Sequence, residues 1–190
     1  MIEKSLKKLM LYCESEKYMG WDPYDGLNSK IFKLFGLNKV SLFRLIWIQF
    51  FKRSPINFRR LFLVPKEYNS KGLALMISGY CNLFDLCKSG NDSFGTMESL
   101  KNKINFLCNL LINQRNKNFS GACWGYNFDW QSRLNFLFKK NQPTVVATSF
   151  CCDALIKAYE ITKNKHYLEI ALSSADFVFN DLSRTKCKSG

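Results

Sequence analysis

A chain of 190 residues that is 47% hydrophobic and 15% aromatic holds enough apolar material to bury a core, which excludes a disordered tail. The formal net charge of +13 suits an anionic partner, yet the basic residues are scattered, in small clusters such as Lys7-Lys8, Lys52-Arg53, Arg59-Arg60 and Lys139-Lys140. Without a continuous stripe on one helix, a solvated basic surface is expected and a specific nucleic-acid groove is not.

Ile2, Leu6, Leu9, Met10 and Cys13 recur at helical spacing, so an amphipathic helix is predicted to open the chain and to end near Tyr18-Met19-Gly20. Glu3, Glu14 and Glu16 within that stretch exclude a secretory signal. Asp-Pro and Asp-Gly turn signals between Gly20 and Ser29 place Trp21, Asp22, Tyr24 and Asp25 on a loop. The apolar run Val40 to Phe51 carries Arg44 and falls short of the roughly 20 residues a membrane helix needs. It predicts a buried helix or a membrane-surface contact over Ser41 to Lys52, with no transmembrane span. From Phe50 to Arg60 aromatic and basic residues interleave, a pattern suited to a phosphate backbone or an anionic membrane surface.

Helices are predicted from Ser70 to Cys87 and from Thr96 to Asn113, separated by a turn at Ser89 to Ser93. A second hairpin runs from Pro143 to Thr162 and from His166 to Leu182 about the turn Lys163-Asn164-Lys165. Ala147, Ala154 and Ala158 on one helix and Ala171, Ser174 and Ala175 on the other permit close approach of the axes. Strand alternation is absent. The expected class is all-α, with successive αα-hairpins on loops of unequal length forming one domain over residues 1–190, a helical solenoid or an α/α toroid rather than a four-helix bundle.

The segment Gly121 to Arg133 concentrates Trp124, Tyr126, Phe128, Trp130, Asp129, Gln131 and Arg133 between helices. Two readings stand. In one, Trp21, Tyr24, Trp124, Tyr126 and Trp130 stack on a ligand while Asp22, Asp25 and Gln131 hydrogen-bond it; in the other, Trp124, Phe128 and Trp130 plug the end of a helical core. Asp129 is the candidate acid or base, because aromatic neighbours would desolvate it and raise its pKa. Arg133 either binds an acidic sugar or phosphate or clamps Asp129. Asp22 and Asp25 either supply the paired carboxylates of glycoside chemistry or organise their own turns. Thr144 and Thr148 either cap the following helix or face a funnel, with capping favoured for Thr144. His166 sits at a solvated turn, and Cys151-Cys152 in a helix do not form an easy disulfide. Eight cysteines without a Cys-x-x-Cys pair, and one histidine, give no metal set, and no cofactor is expected. Reduced thiols in the cytoplasm follow, with the periphery of a membrane as a second setting.

Three motifs in this order, Gly20-Trp-Asp-Pro-Tyr-Asp-Gly-Leu-Asn-Ser29, Cys123-Trp-Gly-Tyr-Asn-Phe-Asp-Trp-Gln-Ser-Arg133 and Pro143-Thr-Val-Val-Ala-Thr-Ser-Phe150, resemble a bacterial family of α/α-toroid proteins. Its members occur with surface-polysaccharide genes and carry labels borrowed from prenyltransferase and squalene-oxidase repeats. The resemblance covers most of the chain. It implies a six-hairpin, funnel-shaped fold whose rim loops hold sugar, and hence a carbohydrate-binding or carbohydrate-modifying protein with a carbohydrate or lipid-linked sugar as partner. Six hairpins need roughly 300 residues or more, so the expectation is an amino-terminal half, truncated at the carboxyl end. Its exposed apolar faces would then favour self-association or a protein partner. A non-catalytic helical scaffold and an isoprenoid-binding cyclase-like or prenyltransferase-like protein are the alternatives, although no Asp-rich pyrophosphate signature supports the latter.

Overall fold

The computed structural model describes residues 2–133 and 136–183. Among the described residues it is mostly helical (61%), with seven helices and one small two-stranded sheet. Backbone contacts divide the chain into two compact units, residues 1–72 with 126–142 and residues 73–125 with 143–190.

In the first unit, α1 (Ile2–Ser15) has the predicted spacing and an i,i+4 pair between Glu3 and Lys7 at 2.7 Å, but none of its residues is buried. Its end is a Schellman closure: Tyr18 N–H donates to the Cys13 carbonyl at 2.8 Å and Lys17 N–H to that of Glu14 at 3.0 Å, with Lys17 and Tyr18 left-handed. The Gly20–Ser29 segment is only partly a loop, since Asp25–Asn28 forms a 3-10 turn. Ser29 then caps α2 (Lys30–Leu34), its hydroxyl accepting from Phe32 N–H at 3.1 Å. After the left-handed Gly36, at φ 68°, comes α3 (Ser41–Arg53). Leu27, Phe32 and Ile48 form the core here, packed by Tyr24, Leu37, Trp47 and Leu137. Trp47 anchors this core, stacked on Phe32 at 4.9 Å and donating its indole N–H to the Gly26 carbonyl at 3.0 Å. Two short strands, β1 (Trp130–Gln131) and β2 (Leu137–Phe138), pair antiparallel and close this unit.

The second unit takes up α4 (Ser70–Lys88) from Leu73 onward, then α5 (Met97–Asn113), α6 (Val145–Thr162) and α7 (Lys165–Asp176), followed by a π-helical turn at Phe177–Asp181. Thr96 caps α5 and Thr144 caps α6, its hydroxyl accepting from Ala147 N–H at 3.1 Å. The turn between α6 and α7 is made by Lys163, left-handed at φ 59°, and by Asn164, which caps α7. Ala147, Ala154, Ala158, Ala171 and Ser174 are buried, while Ala175 is exposed. Gly121 lies so close to α7 that a Cβ would sit 1.9 Å from the Ser173 carbonyl oxygen. Burial pushes the Cys81 thiol up to about 12 and the Cys123 thiol to about 11, so both stay protonated at neutral pH. Among the described residues no helix is long and apolar enough to cross a membrane.

Candidate functional site

The acidic loop of the first unit folds on itself. Asp22 Oδ1 accepts from Tyr24 N–H at 2.9 Å, and Asp22 N–H donates to Asp25 Oδ2 at 2.9 Å, so both carboxylates organise the Asp-Pro-Tyr-Asp turn. From the segment after α3, Arg59 Nε donates to Asp25 Oδ1 at 2.7 Å and its Nη2 donates to the Asp22 carbonyl at 2.8 Å. The pair is buried, with side-chain exposures of 11% for Arg59 and 2% for Asp25. Burial raises the Asp25 pKa above its ordinary value against the opposing pull of Arg59. Asp22 is raised by burial too, opposed by the Tyr24 N–H and by the charges of Arg59 and Lys71. Asn69 Nδ2 donates to Asp22 Oδ2 at 3.2 Å. Burial and the negative charge of Asp22 raise the phenol of Tyr126.

A second set of polar groups joins this loop to the ribbon that carries β1 and β2. Asn28 Nδ2 donates to the Asn127 carbonyl at 2.8 Å and to Glu67 Oε2 at 3.2 Å. Lys140 Nζ donates to Glu67 Oε1 and Oε2 at 2.5 and 2.7 Å, while its backbone N–H donates to Asp129 Oδ1 at 2.7 Å. Because both acceptors claim the Asn28 nitrogen, the orientation of that amide is fixed. Its oxygen is left over. Asn28 Oδ1 and Asn127 Oδ1 are both buried without a hydrogen-bond partner among the described residues, in residues only 5% and 8% exposed. Each such atom costs about 1–3 kcal/mol unless something donates to it.

The aromatic candidates are placed differently from one another. Trp21 donates its indole N–H to the Val64 carbonyl at 3.0 Å and has the Lys66 ammonium 4.8 Å over its ring, while Tyr24 lies beneath Lys52 at 4.9 Å. Tyr126 stacks on Phe128 at 5.5 Å. Trp130, 36% exposed, stacks on Phe138 at 5.7 Å and meets the edge of Phe136 at 6.4 Å. Trp124 belongs to the second unit, has 0% exposure and donates its indole N–H to the Leu111 carbonyl at 2.8 Å. It offers no face to a ligand, and the expectation of a stacking role gives way there to core packing. Thr148 does not face a funnel either: it is buried and accepts from Trp124 N–H at 3.1 Å.

Gln131 is 3% exposed, and its amide is engaged by Arg44 Nε at 2.7 Å and by the carbonyls of Ser132 and Phe136 at 3.0 Å each. With both ends taken, it positions the ribbon rather than meeting a ligand. Asp129 is half-buried and Arg133 exposed, and no bond between the two is recorded among the described residues. The carboxylates that burial raises are Asp22 and Asp25. Arg59, Asn28, Glu67, Asn69, Asn127 and Lys140 enter the cluster without having been singled out as ligand-site residues from sequence. Arg59 carried a signal as a member of the basic and aromatic run, Lys140 as one of a basic pair, and Asn28 and Asn127 only as members of the motifs that carry the resemblance. Among the described residues no three His, Cys, Asp or Glu side chains converge as metal ligands would.

The second unit has a groove of 530 Å³ along α6 and α7, lined by Val145, Cys152, Ala171 and Phe179 among others. Its Thr148 hydroxyl is already bonded to the Trp124 backbone. No family model, no curated protein and no solved structure matches the chain.

Proposed function

We propose that the loop cluster of the first unit binds a carbohydrate, in a protein of bacterial polysaccharide metabolism whose helices belong to an α/α toroid. The observation that carries this reading is the pair of buried, unpartnered amide oxygens on Asn28 and Asn127. Sugar hydroxyls are the donors such acceptors need, and a ligand presenting several of them would satisfy both once the loop cluster parts to admit it, since both oxygens are buried in the closed cluster. The half-exposed ring of Trp130 on the same ribbon supplies an apolar face for a sugar ring. Arg133, exposed beyond β1, suits the carboxylate of an acidic sugar or the phosphate of a lipid-linked one. Asp129 borders the ribbon as the group nearest in sequence to both Asn127 and Trp130.

Thermal denaturation of the full chain with a panel of neutral and acidic disaccharides tests the reading, using Asn127→Leu as the control variant. Replacing an unsatisfied amide by an apolar side chain of similar volume should leave the ligand-free melting temperature unchanged or higher, and should abolish any sugar-induced rise. If no disaccharide stabilises the wild-type chain, or if Asn127→Leu keeps the response, the assignment fails.

A further inference from the structure

Between Gly26 and Lys66 the chain has nine basic residues and no Asp or Glu. Arg44 and Arg59 are drawn into hydrogen bonds within the fold and Lys66 pairs with Glu16, and the other six cations have no carboxylate in the segment to neutralise them. The same segment leaves ten large apolar side chains exposed between Leu34 and Leu63. Soluble surfaces rarely combine these two features over so short a stretch, because exposed apolar area normally marks something that covers it.

The helix α3 shows how the combination is built. Ile48 and Phe51 are buried and Trp47 packs on the core cluster, so that side of the helix is satisfied. Leu42, Phe43, Ile46 and Phe50 are 60%, 43%, 55% and 37% exposed. At about 100° per residue these four span about 100° of the helix surface, centred about 140° from the middle of the buried side, with Phe43 bordering Trp47. Arg53 projects from that same face at the carboxyl end of α3 and Lys39 stands just before its start, both exposed. Beyond the helix, Phe58 stacks on Phe50 at 5.6 Å, and the exposed Arg60 follows it.

We propose that this outer face of α3 docks on an anionic lipid bilayer. The helix lies in the interface, with the four apolar side chains entering the headgroup and acyl boundary and Lys39, Arg53 and Arg60 meeting lipid phosphates. The charge selects an anionic partner, and the apolar side chains select among anionic partners. Phe43 and Phe50 would suit a base as well as a lipid, but Leu42 and Ile46 on the same face offer a base nothing to stack on or hydrogen-bond, whereas insertion beneath lipid headgroups gains free energy from all four. Thirteen residues make α3 about 20 Å long, too short to span a bilayer and long enough to lie on one. This surface is separate from the proposed sugar cluster, and it stands or falls independently of that assignment.

The test is co-sedimentation of the full chain with vesicles of phosphatidylcholine alone, with vesicles that also contain phosphatidylglycerol, and with single-stranded RNA as the competing polyanion. Binding is expected to vesicles containing phosphatidylglycerol, to weaken as salt is raised, and to be lost with phosphatidylcholine alone. Ile46→Asp changes an exposed position, so its far-UV circular dichroism should match the wild type while partitioning falls about tenfold or more. Arg53→Glu, which leaves the apolar face intact, should lower partitioning about fivefold or more on anionic vesicles. Equal binding to both vesicle types, retention by RNA without retention by vesicles, or folded Ile46→Asp protein that partitions like the wild type would each overturn the proposal. So would a stable dimer that Ile46→Asp dissociates and that binds no vesicle.

Discussion

Truncating Trp124 to alanine separates a core residue from a ligand-stacking one. The indole has 0% exposure, so the substitution removes a fully buried side chain and leaves a cavity that the flanking helices can only partly close. Such changes cost about 3–5 kcal/mol. The lost hydrogen bond to the Leu111 carbonyl adds only a modest amount, because that carbonyl also accepts from Gln114 N–H at 3.1 Å and is not orphaned. Trp124→Phe keeps most of the volume and should cost about 1–2 kcal/mol, the net worth of one buried hydrogen bond plus a small void. Urea unfolding of the full chain, followed by far-UV circular dichroism, reads both values from the shift in midpoint at constant slope. Trp130→Ala is the comparison: at 36% exposure it should cost about 1 kcal/mol, mainly its contacts with Phe136 and Phe138. A Trp124→Ala chain destabilised by less than about 1 kcal/mol, or less than Trp130→Ala, would refute the placement of Trp124 in the core.

Gly121→Ala forces a methyl group to 1.9 Å from the Ser173 carbonyl oxygen, a backbone atom that cannot rotate away, and should cost about 3 kcal/mol or more, seen as a lowered melting temperature. Gly26→Ala meets only the Phe51 ring, at 2.7 Å, and should cost distinctly less because a ring can tilt. Asp25→Ala and Arg59→Ala should each cost about 3–5 kcal/mol by leaving a buried charge unpaired, whereas the double variant Asp25→Ala/Arg59→Ala should cost far less than their sum in a double-mutant cycle. The pH dependence has a definite sign: burial raises the folded pKa of Asp22 above its ordinary 3.8, so the native state holds the proton more tightly than the unfolded chain. Its contribution to stability is complete below that value and is lost as pH rises through the raised folded pKa, so Asp22→Asn should flatten a decline in denaturation midpoint over that window; a wild-type excess that grows with pH would mean that the cationic neighbours outweigh burial.

Periodicity made the long helices legible. The apolar spacing of α3 to α7, the threonine caps of α5 and α6 and the Lys163-Asn164 turn all lie where local sequence places them, since each is fixed by residues within a turn or two. The helix α2, with five residues, and two strands of two residues each are too short to show any period. The turn-forming role of Asp22 and Asp25 was readable from Asp-Pro and Asp-Gly. The partner of Asp25 was not, because Arg59 arrives from 34 positions away, and the Asn28 contact with the Asn127 carbonyl spans 99. Aromatic density marked Gly121 to Arg133 as unlike an ordinary polar loop, but the same composition describes a ring packed into a core, such as Trp124, and a ring half in solvent, such as Trp130. The helix α1 shows the converse: a clean apolar spacing does not by itself bury anything.

The uneven distribution of buried groups supports placing the proposed ligand site in the first unit. Among the described residues, 23 of the buried hydrophobic residues lie in the second unit and six in the first, although the two are of comparable length. For buried polar and charged residues the balance reverses, with eight in the first unit and two in the second. Apolar burial stabilises in proportion to area, whereas a buried polar group at best recovers its desolvation cost through hydrogen bonds. The second unit therefore gains most from burial, while the first holds an ion pair, fixed amides and two unsatisfied oxygens that add little to stability. Polar groups kept in such positions fix a geometry, as the bonds from Asn28 fix its amide and those from Arg59 fix the Asp22–Asp25 turn. Local departures from the most stable arrangement concentrate at functional sites. The first unit, with its preset acceptors, is where this chain departs from it.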